Sequence, residues 1–264
     1  RVTSDVGEHE LTLASDAPPH PALEAVVADL VVTFDPDLGG FGDAPKFPRP
    51  GVFPALFLHH RHSGQLRSLQ MAADSLHAMA AGGIYDQLGG GFHRYSVDRH
   101  WRVPHFEKML YDQAQLVAAY TAAFKLTGDA TLGAVAIDTV DYVLREMQAP
   151  SGGFYSAEDA DSALDAADPE EKVEGGFYMW TVRELGDALG DDEGERAADA
   201  YGATVAGNTI SDPHGELGNR NVLYRAPGAD ATDVPMPERW RAPLRQAQLQ
   251  RPRPLLDDKV IAAW

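Results

Sequence analysis

The stretch GGIYDQLGGGFHRYSVD, residues 82–98, is followed two residues later by WRVPHFEKMLYD, residues 101–112. Its five glycines favour a loop over a helix, because glycine is entropically costly in a helix interior. Two histidines, two arginines, a lysine, four acids, three tyrosines and a tryptophan share this loop. Charges are costly to bury unless they are paired. The loop is therefore either a ligand site or a polar network that ties neighbouring helices together.

Helical periodicity surrounds this central loop, with apolar residues recurring at steps of three and four. The predicted helices cover 23–34, 52–60, 65–81, 104–127, 132–147, 182–189 and 194–201. Pro104 is expected in a first helical turn, where its missing N–H costs nothing. Thr181 and Glu184 have the spacing of a capping box. We expect six to eight helices, a turn-rich stretch over 203–257, and little strand outside 153–180.

The tripeptide Gly-Gly-Phe recurs along the chain, at 39–41, 90–92, 152–154 and 175–177. The first three copies follow predicted helices at intervals that fit one helical hairpin per repeat. We therefore expect these turns at one end of a helix stack, although ordinary glycine caps would also explain them. Two strand-like pieces, 153–156 and 176–180, predict a β-hairpin with a long acidic loop.

Composition limits the classes of function. The chain has 22 Lys+Arg against 40 Asp+Glu and no cysteine. A net charge of −18 argues against nucleic acid or an anionic membrane as a partner. Thiolate chemistry and disulfides are excluded. No apolar run reaches the roughly 20 residues of a membrane span, and residues 1–19 are unlike a signal peptide. We expect a cytoplasmic protein that binds no metal and no cofactor.

Four further motifs accompany the central loop in order along the chain: FGDAPKFP at 41–48, GGFYSAEDADS at 152–162, EGGFYMW at 174–180 and DDK at 257–259. With these motifs the chain resembles the YyaL-like family, which is related to the spermatogenesis-associated thioredoxin-like proteins. In that family a thioredoxin-like domain precedes an (α/α) toroid similar to N-acylglucosamine 2-epimerases and six-hairpin glycosidases.

The resemblance implies an all-α fold, a partial (α/α)6 toroid of helical hairpins with a small β-hairpin insertion near 153–180. Residues 1–19 would be a linker or extended arm, and 20–264 the first half of the ring. The thioredoxin-like domain and the second half of the ring would lie outside this sequence.

Sugar epimerisation requires an acid and a base with pKa values near neutrality, a task that suits histidine. His93 and His105 flank the Arg- and Trp-rich part of the loop. A position just inside a helix N-terminus would lower the pKa of His105 and favour its neutral form. His105 is therefore the first candidate base, and a structural histidine bonded to a backbone carbonyl is the alternative.

Glycoside hydrolysis requires two carboxylates instead. The candidates are Glu107, Asp112, Glu158, Asp161, Glu174 and Asp258. On a helix, Glu107–Tyr111 and Lys108–Asp112 would each share one face. Aromatic residues that could stack on a sugar, or equally belong to the core, are Tyr95, Trp101, Tyr178 and Trp180.

The leading hypothesis is a carbohydrate-processing module with a sugar-like ligand, an epimerase, isomerase or glycosidase by resemblance. Its predicted catalytic residues are His105, Glu107, His93 and Asp258. Its predicted substrate-binding residues are Arg94, Tyr95, Trp101, Tyr111, Asp112, Glu158, Asp161 and Tyr178. The alternative is a non-catalytic binding or scaffold module that serves the thioredoxin-like domain of the same full-length protein. An enzyme should gather His105, Glu107 and Asp258 around one cavity, whereas a scaffold should pair them in a filled interior.

Overall fold

The computed structural model describes residues 21–165, 168–209, 218–228 and 235–260. The predicted arm at 1–19 lies outside these ranges. The α-helices of the described residues are α1 Pro21–Thr33, α2 Val52–Ser63, α3 Leu66–Ala81, α4 Leu110–Thr127, α5 Ala130–Tyr142, α6 Val182–Leu189, α7 Asp191–Ala200 and α8 Glu238–Gln248. Helix α5 continues directly into a π-helical turn, Val143–Met147.

Short antiparallel strands connect the helices. They are β1 Tyr95–Ser96, β2 Pro104–His105, β3 Lys108–Met109, β4 Ala157–Glu158, β5 Asp161–Asp165, β6 Asp168–Glu174 and β7 Leu256–Asp257. Strand β1 pairs with β2, β5 pairs with β6, and β3, β4 and β7 form a three-stranded sheet in that order. The register places Lys108 opposite Glu158 and Ala157 opposite Asp257.

Consecutive helices pack as hairpins around an apolar core. Helix α2 packs against α3, and α4 against α5. Their facing side chains, including Leu56, Leu76, Leu116 and Leu132, are fully buried in one cluster. A second cluster joins α6, α7 and α8 around Trp180 and Leu244. The predicted mainly helical fold, built of helical hairpins with a small β-hairpin insertion, is confirmed.

The glycine turns follow helices α1, α3 and α5. In each, the phenylalanine of Gly-Gly-Phe forms an isolated β-bridge with a residue just upstream: Phe34–Phe41, Tyr85–Phe92 and Gln148–Phe154. The first turn packs on the C-terminal half of α3, where a Cβ on Gly39 would lie 2.9 Å from the Ala78 Cβ. The second packs on the C-terminal end of α5, where a Cβ on Gly91 would lie 2.5 Å from Tyr142. This pattern places the three turns at the same end of the helix stack, as predicted.

Three local predictions are wrong. Helix α4 begins at Leu110 and not at 104, because residues 104–105 and 108–109 are extended and pair in sheets. The β-hairpin lies at 161–174, inside the predicted acidic loop. Helix α8 falls in the stretch 203–257, which was predicted to be turn-rich and without a helix. Its internal Pro243 disguises a helical face formed by Trp240, Leu244 and Gln248.

Candidate functional site

His105 lies at the centre of a polar cluster built on the β1–β2 ladder. Its Nδ1 lies 2.6 Å from Glu174 Oε1 and donates to it, since a carboxylate can only accept. Its Nε2 lies 3.9 Å from Glu107 Oε2. The hydrogen bond to Glu174 raises the pKa of His105, and partial burial opposes it less strongly. The predicted lowering by a helix N-terminus is wrong, because no helix begins there.

Arg94 joins this group through Glu107. Its Nη1 donates to Glu107 Oε2 at 2.7 Å, and its backbone N–H donates to the Glu107 carbonyl at 2.8 Å. The predicted i,i+4 pairs of residues 107–112 do not form on a helix, since Glu107 and Lys108 precede α4. Instead Glu107 binds Arg94, and Lys108 binds Asp86 in the interior.

Asp112 is buried in the first turn of α4, next to Tyr111. Burial raises the pKa of its carboxyl to about 7, helped by the charge of Glu107 and opposed by Arg94. Its carboxylate accepts no hydrogen bond from the residues that the structure describes. Burial, and then the Asp112 charge, raise the pKa of Tyr111. Asp112 is thus a buried acid poised near neutrality.

Asp161 completes the group from the β-hairpin. The register pairs it with Glu174, and burial, then the charges of Asp159 and Glu174, raise its pKa. Seven residues are therefore gathered here, six of them predicted as site residues and Glu174 as a candidate carboxylate. We call this set the His105 cluster: Arg94, His105, Glu107, Tyr111, Asp112, Asp161 and Glu174.

The aromatic residues predicted to contact substrate are already covered. The ring of Tyr95 stacks between Phe47 at 4.7 Å and His105 at 5.0 Å. Trp101 is 1% exposed and donates from Nε1 to the Leu38 carbonyl. Tyr178 is buried against Phe106. Trp101 and Tyr178 therefore belong to the core, and so does Trp180.

His93 and Glu158 are buried outside the cluster. His93 Nδ1 donates to the Phe106 carbonyl at 2.8 Å, and burial, then Lys108, lower its pKa to about 3. Glu158 accepts from the Tyr142 hydroxyl at 2.7 Å and from Arg253 at 3.2 Å. A neutral histidine bonded to a carbonyl is the structural alternative, found at His93 and not at His105.

Asp258, the fourth predicted catalytic residue, is exposed just beyond β7. It makes no hydrogen bond or ion pair with the His105 cluster within the described ranges. The neighbouring Asp257 pairs with Lys259 at 2.9 Å. The structure therefore brings His105 and Glu107 together and leaves Asp258 apart.

The sequence analysis did not predict a repeated feature, a buried lysine that pairs with an aspartate at each of two glycine turns. Lys108 donates to Asp86 at 2.8 Å and lies 4.3 Å from the centre of the Tyr142 ring. Lys46 donates to Asp35 at 2.9 Å and lies 5.1 Å from the Trp101 ring. The signal was present in the sequence, as FDPDLGGF at 34–41 and YDQLGGGF at 85–92 each carry an aspartate before the glycines.

The cavities lie elsewhere. Four cavities of about 260 to 630 Å³ are described, and no member of the His105 cluster lines them. The cluster is half-buried, with 27% of the His105 side chain and 25% of that of Glu107 exposed. The cluster therefore fits neither expectation fully. It does not surround one cavity, as expected of an enzyme, and its paired members face solvent, whereas a scaffold would bury them in a filled interior.

The described residues contain neither a metal-binding cluster nor a membrane-spanning helix. The described residues hold no group of three or more His, Asp or Glu side chains that could bind a metal ion. None of the helices described has the length and hydropathy needed to span a bilayer.

Comparison with known proteins identifies relatives but gives no family model that matches. The chain is 44% identical to spermatogenesis-associated protein 20 of Homo sapiens over 259 residues, 88% of this chain and 32% of that protein. The Mus musculus protein of the same name is 43% identical with the same coverage. An uncharacterized Caenorhabditis elegans protein is 39% identical over 256 residues, 35% of its length. The chain spans about one third of the length of these relatives.

Solved structures with a similar backbone arrangement include two cellobiose 2-epimerases. That of Spirochaeta thermophila is 14% identical with a TM-score of 0.46, covering 90% of this chain and 75% of the epimerase. That of Bacillus thermoamylovorans is 14% identical with a TM-score of 0.45, covering 52% and 40%. The relatives, which match 88% of this chain, confirm the resemblance that its motifs carry to the family of spermatogenesis-associated protein 20.

Proposed function

We propose that the chain is a carbohydrate-processing module that moves a proton on a sugar, as in isomerisation or epimerisation. One observation carries this proposal. The His105 cluster holds Asp112, whose pKa of about 7 suits proton transfer at neutral pH, and His105, whose pKa is raised from its ordinary value by Glu174. The Arg94–Glu107 ion pair interacts electrostatically with both.

The direction of each shift assigns the roles. Asp112 is partly ionised at pH 7 and would act as the base that removes a proton from the carbon beside a carbonyl. His105 keeps its proton to higher pH than an ordinary histidine and would act as the acid that returns one. The proposal thus gives His105 the role of the acid, where the sequence analysis expected a base. Glu107 and Arg94 would hold the two groups in place.

Glycoside hydrolysis has less support from this geometry. Glu107 is held by Arg94 at 2.7 Å, and Trp101 and Tyr178 are core residues with no ring face open for stacking. The proton-transfer reaction needs neither a second free carboxylate nor a stacking platform.

Deuterium exchange tests the proposal directly. The chain would be incubated in D₂O with glucose or cellobiose, and incorporation at C2 would be followed by NMR. We expect exchange with the unaltered chain and a loss of about 100-fold or more in Asp112→Asn and His105→Gln. Asp199→Asn, an exposed acid on α7, is the matched control. Absence of exchange, or equal exchange by all variants, would contradict proton transfer on these sugars.

A second candidate is a scaffold module that serves a thioredoxin-like domain of the same full-length protein. The mutual pairing of His105, Glu107 and Glu174 favours it, because a brace needs only such pairs. For a brace, His105→Ala should cost roughly 1–3 kcal/mol of stability by leaving a partner unsatisfied. A variant that melts early yet exchanges deuterium normally would favour the scaffold. A cytoplasmic location stays a prediction.

A further inference from the structure

A cavity of about 630 Å³ separates α5 and its π-helical turn from α8. Its volume is in the range of small-molecule sites. It shares no lining residue with the His105 cluster, so a binding role for this cavity does not rest on the proposed function. Leu88, at the central glycine turn, lies on one wall, and the lining contains four arginines: Arg145, Arg241, Arg245 and Arg253.

The arginines surround buried carboxylates. Glu146, 8% exposed, accepts from three of them: Arg145 at 2.7 Å, Arg245 and Arg253. Arg241 donates to Asp138, and Arg253 also reaches Glu158. The four guanidinium groups, which we call the arginine floor of the cavity, thus contact three buried carboxylates.

Each guanidinium retains capacity to bind. Arg145 and Arg241 each donate from Nε and one Nη, to a carboxylate and to the carbonyls of Gly89 and Leu88. Arg245 and Arg253 donate from both Nη atoms. Within the described part of the chain, the third nitrogen of each group makes no hydrogen bond. Planar arrays of free guanidinium donors favour oxyanions such as carboxylate and phosphate.

The solvent-exposed rim of the cavity carries negative charge, in contrast to the arginines. Asp141 and Glu238 line the same cavity and are exposed to solvent. Exposed carboxylates accept hydrogen bonds from hydroxyl groups. We propose that this cavity binds a small polyhydroxylated anion, a sugar acid or a sugar phosphate. Its oxyanion would contact the arginine floor, and its hydroxyls the acidic rim.

The backbone supports a binding role for this wall. Residues 143–147 form a π-helical turn, and two of them, Arg145 and Glu146, line the cavity side by side. In a regular α-helix, adjacent residues point about 100° apart. Single π-helical turns inside α-helices occur frequently at functional sites.

Calorimetric titration of the chain tests the site with four probes: glucuronate, glucose 6-phosphate, inorganic phosphate and uncharged glucose. We expect the three anions to bind, with affinity falling as sodium chloride rises, and glucose to bind at least about tenfold more weakly. Comparison of glucuronate with glucose 6-phosphate identifies the preferred oxyanion. Absence of anion binding, or binding of glucose as tight as that of the anions, would overturn the proposal.

Variants locate the site. Arg145→Gln leaves two arginines on Glu146 and should weaken every anion about tenfold, whereas Arg67→Gln, on the exposed face of α3, should change nothing. Asp141→Asn should weaken glucuronate and leave inorganic phosphate unchanged. Unaltered anion binding by Arg145→Gln would place the anions elsewhere. If that variant does not fold by circular dichroism, Arg145→Lys, which keeps the charge and loses the planar donor array, takes its place.

Discussion

Lys108 and Asp86 form a buried ion pair in which Nζ lies 2.8 Å from Oδ2, with 1% and 7% of the side chains exposed. Lys46 and Asp35 repeat it at 2.9 Å one helical hairpin earlier. Each aspartate also accepts backbone N–H groups of its own glycine turn. The pair therefore fixes the turn and the incoming strand to each other, and the charged residues of the central loop are in part a structural brace.

Replacing Lys108 should destabilise the fold strongly. Lys108→Met leaves the Asp86 carboxylate buried without its counter-charge, which typically costs about 3–5 kcal/mol of unfolding free energy. Urea denaturation followed by circular dichroism measures the loss. The exposed Lys125→Met on α4 is the control and should change stability by less than about 0.5 kcal/mol.

A second substitution checks the cause. Asp86→Asn removes the charge and keeps an acceptor for the turn's backbone N–H groups. In the Lys108→Met background it should recover part of the lost stability, because the uncompensated charge is gone. Additive losses would show that the lysine acts through packing against Tyr142 and not through the ion pair.

Local pattern predicted the helices well, because their faces are periodic. The expected 65–81 became α3, Leu66–Ala81, and the capping box at Thr181 formed as expected. Helix α8 was missed because Pro243 and its charged residues obscured the apolar face. The early start assigned to α4 failed for a different reason. Residues 104–109 take their extended form from strand partners, one of them 50 residues away.

The sequence predicted most residues of the His105 cluster, but it did not predict which of them contact one another. The residues of the central loop gave Arg94, His105, Glu107 and Asp112 correctly as neighbours. The partner of His105 is Glu174, 69 positions later, and this contact reversed the expected direction of the pKa shift. A contact between residues so far apart in the chain leaves no periodic pattern in the sequence. The burial that shifts the pKa of Asp112 is equally invisible before the fold is known.

Protonation of His93 should lower the stability of the fold as the pH falls. Its folded-state pKa of about 3 lies below the ordinary 6.5, so between these values the unfolded chain binds a proton that the folded chain excludes. Its contribution to stability is therefore lost as pH falls from about 6.5 toward 3, by on the order of 5 kcal/mol. His93→Gln should flatten the pH dependence of the unfolding free energy above pH 4.5, roughly where ordinary carboxyl groups begin to protonate.

The exposed His100→Gln is the control and should keep the slope of the unaltered chain. Equal slopes for the unaltered chain and His93→Gln would show that His93 is protonated in the folded state at mild acidity.

The glycine turn can be tested with two substitutions that share one backbone strain. Gly91 and Gly128 have φ values of +75° and +73°, so alanine is strained at both by about 1 kcal/mol. An added Cβ meets nothing within 4 Å at Gly128, but lies 2.5 Å from a Tyr142 ring atom at Gly91. Gly91→Ala should therefore cost about 1–3 kcal/mol more than Gly128→Ala in thermal unfolding. Equal losses would mean that the tyrosine moves aside freely.

Asp112 should show the opposite pH dependence to His93. Its folded-state pKa of about 7 exceeds the ordinary 3.8, so between these values the folded chain holds a proton that the unfolded chain has released. Stability should fall as pH rises through this window, because the buried carboxylate must ionise and no described residue donates a hydrogen bond to it. Asp112→Asn removes this cost and should be more stable than the unaltered chain at pH 8, by up to about 4 kcal/mol.

The same substitution should abolish deuterium exchange on the sugar, and that combination separates function from structure. A residue retained at a cost to stability, and needed for turnover, is expected at an active site. Asp199→Asn on α7 should alter neither property, because that carboxylate is exposed. If Asp112→Asn instead unfolds more readily at pH 8, the carboxylate stabilises the fold, and the base of the proposed reaction has to be sought at Glu107.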